Sequence, residues 1–131
     1  MAVNEFSPVL VSCLCVTQGR KPFMDWLLWN FDKQTHCTRE LVVVDSSTEV
    51  FHSSRDDVRV VSAAPGTNIP KKRNMALKAA RGQVVAWFDD DDWQHPQRLE
   101  RLVDALGDGD GVAGCARGWF VDLWQERANT Y

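Results

Sequence analysis

The feature that most constrains this chain is an apolar run that stops abruptly at four consecutive carboxylates. Residues 84–88 are apolar, and Asp89, Asp90, Asp91 and Asp92 follow them directly. Burying an unpaired charge is very costly, so the four acids cannot continue a buried strand. They must lie where the strand ends, facing water, a cation or a ligand. Because ligands of open α/β sheets bind beyond the carboxyl ends of the strands, the run predicts negative charge at a binding crevice.

The rest of the chain alternates between strand-like and helix-like segments. Short apolar runs predict strands at residues 9–16, 41–44, 58–61 and 84–88. Helical spacing of apolar residues predicts helices at residues 22–31, 68–82 and 96–107. Two further strands are predicted at residues 112–116 and 119–123. Strands that alternate with helices indicate an α/β fold with a mostly parallel sheet.

Polar loops follow three of the predicted strands and should therefore meet at one edge of the sheet. They comprise residues 17–20, 45–47 and 89–92. A basic stretch precedes the acidic run and contains Lys71, Lys72, Arg73, Lys78 and Arg81. Positive charge beside carboxylates suits a ligand made of phosphate plus metal. A solvated helix face is the alternative interpretation of Lys78 and Arg81.

The composition is that of one ordinary globular domain. A chain of 131 residues can bury one core, and the net charge of −3 gives no indication of a nucleic-acid partner. The apolar run at residues 9–16 is too short to cross a bilayer. Cys13 and Cys15 lie on one face of a predicted strand, which favours buried free thiols over a zinc site or a disulfide. We therefore expect a reduced, cytoplasmic protein.

Several conspicuous residues have a structural interpretation beside a functional one. Trp26, Trp29 and Trp87 are predicted to be core residues, because packing in the core is the simplest interpretation of large aromatic side chains. His95 is predicted to be a loop residue rather than a catalytic base. Asp92 either caps the turn that follows it or belongs to the acidic site.

The residues that follow the acidic run argue against two classes of protein with similar acidic loops. A calcium-binding EF-hand loop that began at Asp89 would need glycine at its sixth position, which is Gln94. An aspartate-nucleophile phosphatase usually carries Asp-x-Asp-x-Thr, and Trp93 stands where that threonine would be. The phosphatase class stays open as a minor alternative.

Four short motifs occur in a fixed order along the chain. They are Thr17-Gln18-Gly19-Arg20, Val43-Val44-Asp45-Ser46-Ser47, Arg73-Asn74 in a helix that ends near Gly82, and Asp89-Asp90-Asp91-Asp92 followed by Pro96-Gln97-Arg98-Leu99-Glu100. In this order the motifs resemble the nucleotide-binding half of the family 2 glycosyltransferases over roughly residues 8–115. The resemblance implies the GT-A fold, a three-layer Rossmann-like arrangement with a mostly parallel central sheet.

The resemblance also implies a ligand and a set of site residues. It implies a nucleotide-diphosphate sugar donor, an Mn²⁺ or Mg²⁺ cofactor and, as is usual in the family, transfer with inversion. Asp91 and Asp89 are the implied metal ligands, and hard cations do prefer carboxylate oxygens. The residues implied to bind the nucleotide sugar are Thr17, Asp45, Arg73, Asp89 and Asp90. Lys72 is an alternative to Arg73, and Asp45 could instead be a plain turn residue.

In the family that these motifs resemble, the general base and the acceptor-binding helices lie downstream of the acidic motif. We therefore expect residues 1–131 to form a single GT-A-like nucleotide-sugar-binding domain, truncated or minimal at its C-terminus, with the general base outside it and the acceptor unknown. The alternatives are a non-catalytic module that binds the nucleotide or its sugar, and a fold whose acidic loop only caps a helix. The aromatic segment at residues 119–124 is expected to contact a partner subunit or a second copy.

Overall fold

The computed structural model of the protein describes residues 8–122 and 127–130. The strands are β1 (Val11–Thr17), β2 (Arg39–Asp45), β3 (Val58–Ser62), β4 (Val84–Trp87), β5 (Trp119–Asp122) and β6 (Arg127–Thr130). The helices are α1 (Pro22–Asp32), α2 (Ile69–Ala79) and α3 (Arg98–Leu106). Within these described residues, no helix is long and apolar enough to cross a membrane.

Four strands form the predicted parallel sheet, in the order β3-β2-β1-β4. The strands β1 and β2 end level with each other, because Thr17 lies opposite Asp45 in the register. On the other side of β1, the strand β4 pairs in parallel, and the Phe88 amide extends the ladder by donating to the Leu14 carbonyl at 2.8 Å. The strand order reverses between β1 and β4, so the loops after these two strands flank the topological switch point where such sheets bind ligands.

Helices cover both faces of the sheet and complete three layers. On one face, Leu27 and Phe31 of α1 and Leu99 of α3 pack against β1 residues Cys13 and Cys15. On the opposite face, Ala76 of α2 packs on Leu14, Val42 and Val44 of the sheet. Because both faces are covered, β1 and β2 are apolar on both sides at residues 13–16 and 41–44 rather than alternating. The three-layer α/β prediction is confirmed, as is the prediction that Cys13 and Cys15 are buried free thiols.

The helix ends follow local capping chemistry. Pro22 occupies the first turn of α1, where its missing N–H costs nothing. Asn68 caps α2, and its side-chain oxygen accepts a hydrogen bond from the Lys71 amide at 3.0 Å. Gly107 follows α3 with a φ of 58°, a conformation that glycine adopts without strain.

Gly82 has a different role from the one the sequence indicated. The helix α2 ends at Ala79, before this glycine, and Gly82 lies beside the start of β1 instead. A Cβ atom added here would lie 2.5 Å from the Leu10 carbonyl oxygen and 2.8 Å from the Ser12 amide nitrogen. The backbone amide of Gly82 also donates to the Ser12 hydroxyl at 2.9 Å. Glycine is therefore required for close approach of two backbones rather than for ending a helix.

The predictions for the segment after α3 need correction. Residues 112–116 form no strand: Val112 is fully exposed, and the glycines at 111 and 114 leave too few apolar side chains to bury a strand. The strand β5 does form, but it pairs antiparallel with β6 in a separate two-stranded sheet. The predicted strand and aromatic segment extend to residues 123 and 124, which lie outside the described residues.

Two of the three tryptophans predicted to lie in the core are half-exposed. Trp26 and Trp29 stack on each other along the outer side of α1, with ring centroids 5.4 Å apart. The core-facing side of this helix is formed by Met24, Leu27 and Phe31 instead. Trp87 is partly buried and packs against the α2 side of the sheet, as predicted.

Candidate functional site at the β1–β4 switch point

A buried hydrogen bond joins the end of β1 to the acidic loop, residues 89–92, that follows β4. Thr17 is the last residue of β1, and its hydroxyl donates to the Asp90 carboxylate at 2.8 Å. Asp90 is only 3% exposed, so this carboxylate faces into the protein rather than toward a ligand. A buried charge needs hydrogen-bonded partners to be tolerated. Asp90 therefore fixes the acidic loop against β1.

Arg20 spans two of the four acids. Its guanidinium lies 3.3 Å from Asp90 Oδ1 and 3.0 Å from Asp91 Oδ2. The same guanidinium lies 4.5 Å from the ring centroid of Phe23, at the start of α1. Partial burial lowers the pKa of Arg20, but the hydrogen bond to Asp91 and the charge of Asp90 outweigh it and raise the pKa. The sequence placed Arg20 in the first motif without assigning it a partner.

The remaining acids of the loop are mainly exposed. Asp89 has no side-chain partner among the described contacts, and Asp91 has only Arg20. Partial burial raises the pKa of Asp92, and the negative charges of Asp89 and Asp91 raise it further. The Asp92 side chain caps no turn in the described contacts; its backbone carbonyl is the group that binds α1.

The carboxylates present fit a cation that brings other ligands with it. Among the residues that the structure describes, no group of three or more acidic, histidine or cysteine side chains forms a complete metal site. Mg²⁺ is commonly held by one or two carboxylates, with substrate phosphates and water as the other ligands. Asp89 and Asp91 supply exposed carboxylates at the end of β4 and meet that requirement.

Asp45, at the end of β2, is almost completely buried and binds its own loop. Its carboxylate accepts hydrogen bonds from the Ser47 amide at 2.9 Å, the Ser47 hydroxyl and the Phe51 amide at 2.8 Å. Burial raises the pKa of Asp45, but the hydrogen bonds from Ser47 and Phe51 together outweigh burial and leave the pKa below its usual value. Asp45 is thus ionised and holds the loop after β2 in one conformation.

The basic stretch contributes one buried side chain to the site, and it is Lys72. Lys72 is 4% exposed, and its ammonium group donates to the Thr17 carbonyl at 3.1 Å and the Ser46 hydroxyl at 3.0 Å. Arg73 is exposed, with its guanidinium 5.0 Å from the ring centroid of Trp87. The structure therefore brings Lys72 to the loops after β1 and β2, while Arg73 lies on the helix surface.

A row of side chains along α1 and just after its end holds the backbone of residues 92–99, and sequence reasoning missed it. The Trp26 indole N–H donates to the Asp92 carbonyl at 3.0 Å. The side-chain oxygen of buried Asn30 accepts from the Gln94 amide at 2.8 Å. Gln34 donates to the His95 carbonyl at 3.0 Å and accepts from the Leu99 amide at 3.2 Å. The spacing of four residues, with amides at 30 and 34, was the available signal.

Residues of the last motif also stabilise the loop after β4. Arg98 donates to the Trp87 carbonyl at 2.9 Å and to the Gln94 side chain at 2.7 Å. The His95 ring nitrogen accepts from the Gln97 amide at 3.1 Å, which supports the prediction that His95 is a loop residue. Trp93 protrudes beside it and is 55% exposed.

A shallow depression lies between the loops after β1 and β2. The Gly19 amide donates to the Ser47 hydroxyl at 2.6 Å, which ties the two loops together along one wall. Pro22 and Thr48 also line the depression. The depression and the acidic loop thus both lie at the carboxyl ends of the parallel strands, and buried Lys72 lies beneath the loops after β1 and β2.

The chain belongs to glycosyl transferase family 2, whose sequence model matches residues 12–130. The parallel sheet, its helical layers and the acidic loop at the switch point are the GT-A arrangement that the motifs implied. The family prediction is confirmed.

Individual relatives are longer than this chain. EpsH of Bacillus subtilis (strain 168), a putative glycosyltransferase by name, is 25% identical over 112 residues, which are 80% of this chain and 33% of that protein. The Uncharacterized glycosyltransferase EpsJ of the same strain is 28% identical over 115 residues, 81% of this chain and 33% of that protein. The chain thus spans about a third of the length of these curated relatives.

Solved structures share the fold. The mannosyltransferase PcManGT from Pyrobaculum calidifontis, in complex with GDP-Man and Mn²⁺, superposes with a TM-score of 0.64 at 24% identity, over 79% of this chain and 34% of that one. TarS of S. aureus superposes with a TM-score of 0.62 at 25% identity, over 79% of this chain and 23% of that one. These likenesses confirm the fold class.

Proposed function

We propose that this domain binds a nucleotide-diphosphate sugar with Mn²⁺ or Mg²⁺ at the β1–β4 switch point and transfers the sugar to an acceptor with inversion. One observation carries the proposal: Asp89 and Asp91 are exposed at the end of β4, while buried Asp90 fixes their loop to Thr17. Family membership supports the reaction class, and the GDP-Man and Mn²⁺ bound to a structural relative support the type of ligand.

Asp91 and Asp89 are the proposed metal ligands. A divalent cation held there would offset the negative charge that develops on the departing nucleoside diphosphate. The protein's own contribution is to hold both carboxylates in place through Asp90, and through α1 contacts to the loop backbone such as that of Asn30. Fixing charged groups before the ligand arrives lowers the cost of binding it.

The proposed nucleotide contacts lie on the loops after β1 and β2. Thr17 at the end of β1 and Asp45 at the end of β2 are proposed to lie beside the base, and Asp90 of the acidic loop supports Thr17 from below. An ionised carboxylate can accept about four hydrogen bonds, and Asp45 already accepts three from its own loop. Arg73 remains a proposed phosphate contact that would have to leave Trp87, and buried Lys72 adds positive charge beneath the site.

The organisation of the protein is also part of the proposal. We propose that residues 1–131 form a single donor-binding domain, since the donor-side loops and sheet are all present within it. A cytoplasmic location is supported by the four free cysteines, because thiols persist in reducing compartments.

Calorimetric titration of GDP and UDP in the presence of Mn²⁺ tests donor binding. We expect one of them to bind, and Asp91→Asn to weaken binding by at least about tenfold, as damage to a metal site generally does. The matched control is Asp104→Asn, an exposed carboxylate of α3 outside the acidic loop. Equal binding by both variants would remove the basis for the proposed site.

Release of nucleoside diphosphate from a panel of nucleotide sugars tests transfer separately. Release that depends on Mn²⁺ and on Asp91 supports a catalytic domain. If the nucleotide sugar binds but no nucleoside diphosphate is released with any of the acceptors that are tried, the chain is a donor-binding module that needs other residues for turnover.

A further inference from the structure

The proposed metal site contains a cation already, and it is the guanidinium of Arg20. Asp91 Oδ2 accepts from Arg20 at 3.0 Å, so that oxygen faces the arginine. A divalent cation binds a carboxylate oxygen at about 2.0–2.6 Å. A divalent cation that bound this oxygen would have to displace Arg20, and one that bound the other oxygen would lie close to the positive guanidinium, so Arg20 opposes metal binding at Asp91 in either case.

We propose that Arg20 is an internal counter-ion that neutralises the acidic loop until the donor arrives, and that it then transfers from Asp91 to the donor's diphosphate. This inference rests on the proposed function, because it concerns the same site. It assigns to Arg20 a positioning role and explains why four adjacent aspartates can be held together before a metal ion binds.

The contacts of Arg20 suit a side chain that moves. About 40% of its side chain and 47% of the Asp91 side chain are exposed, so solvent and ligand can reach the pair. The Phe23 ring under the guanidinium provides a fixed surface along which the group can shift while its charge stays partly desolvated. Asp90, in contrast, is buried and bonded to Thr17, so the loop stays anchored when Asp91 changes partner.

The proposed exchange leaves each charged group with a partner of opposite charge. Arginine presents a planar fork of donors that can bind both phosphate and carboxylate oxygens in a bidentate manner. When a metal ion binds Asp91, the released guanidinium finds a new anion in the diphosphate that the metal also binds. Metal and nucleotide should therefore strengthen each other's binding, and by linkage the effect must be reciprocal.

Titration of Mn²⁺ alone, followed by the electron paramagnetic resonance signal of the free ion, tests the counter-ion role. The Arg20→Gln variant lacks the exposed ion pair that competes with the metal ion. It should therefore bind Mn²⁺ about two- to fivefold more tightly than the natural protein does. The matched control is Lys21→Gln, because the neighbouring Lys21 pairs with Glu49 and not with the acidic loop. Equal affinity of Arg20→Gln and the natural protein, or an equal gain in Lys21→Gln, would overturn the proposal.

The same titration with saturating GDP or UDP tests the transfer to diphosphate. In the natural protein, the nucleotide should increase Mn²⁺ affinity by a larger factor than in Arg20→Gln. Equal factors in both proteins would overturn the transfer. Tighter Mn²⁺ binding by Arg20→Gln with no nucleotide bound to any variant would retain the counter-ion role and contradict both the transfer and the proposed function.

Discussion

Lys72 is the residue whose burial is least expected from its chemistry, since lysines are rarely buried without a charged partner in contact. Its ammonium donates to the Thr17 carbonyl and the Ser46 hydroxyl and so joins the ends of β1 and β2. Asp45 lies close enough for the positive charge to lower the pKa of its carboxyl. The lysine therefore serves both the fold and the electrostatics of the site.

Replacing Lys72 with methionine, which keeps much of the length but removes the donors, should reduce the free energy of unfolding. Hydrogen bonds from a charged donor contribute about 1.5–3 kcal/mol, and we expect a loss in that range by urea denaturation. Lys71→Met is the matched control, because the Lys71 side chain is exposed and should change stability by less than about 0.5 kcal/mol. Similar losses in both variants would show that the buried hydrogen bonds contribute nothing specific.

At the scale of elements, α1 holds the acidic loop through side chains rather than through apolar packing alone. Asn30 is the central contact: it donates to the Trp26 carbonyl at 2.9 Å and accepts from the Gln94 amide at 2.8 Å. The helix therefore sets the position of the loop after β4, although more than sixty residues separate them in sequence.

We predict that Asn30→Leu, a change of similar size, will destabilise the protein by about 1–3 kcal/mol because it leaves the Gln94 amide buried without an acceptor. Hydrogen exchange should show faster exchange at Gln94 and the neighbouring loop amides. Asn74→Leu, on the exposed side of α2, is the control and should leave loop exchange unchanged. Unchanged protection at Gln94 in Asn30→Leu would contradict the role of α1 in fixing the loop.

The contact between the start of β4 and the start of β1 gives a second prediction at this scale. Gly82→Ala would place a methyl group 2.5 Å from the Leu10 carbonyl oxygen, and backbone on both sides leaves little room to relax. Overpacking of this kind costs about 1–3 kcal/mol or more. Gly109→Ala has open space around it and should be close to neutral in urea denaturation. If Gly82→Ala leaves the free energy of unfolding unchanged, the starts of β1 and β4 can move apart without destabilising the protein, and the prediction is wrong.

At the scale of the whole molecule, the sequence predicted what local patterns determine. The change from apolar residues 84–88 to four aspartates correctly predicted where β4 lies and where its loop begins. Such a change is visible in the sequence because a buried strand and a charged loop have opposite composition. It could not distinguish Asp90 from Asp91, since only the position of Thr17 in the folded sheet decides which carboxylate is buried. The location of the loop was therefore a local property, whereas its anchor depended on a strand more than seventy residues away.

The helices show the same limit. Lys72 and Arg73 are adjacent and chemically similar, and only the rotation of α2, which buries Ala76 one turn after Lys72, selects the lysine for the site. On α1, the core-facing residues are Met24, Leu27 and Phe31, so the larger Trp26 and Trp29 remain outside. Aromatic size alone does not determine which face of a helix packs.

The coupling between site and fold leads to the last prediction. The proposed donor site joins loops from β1, β2 and β4, which are apart in the unfolded chain, so only the folded molecule can bind the ligand. A ligand present at about 100 times its dissociation constant should then raise the free energy of unfolding by about 2.7 kcal/mol. Urea denaturation with the nucleotide and Mn²⁺ measures this increase. Asp91→Asn should lose most of it and Asp104→Asn should keep it. An increase that is the same in both variants would place the ligand away from the acidic loop, because a site built on Asp91 cannot stabilise the fold once that carboxylate is removed.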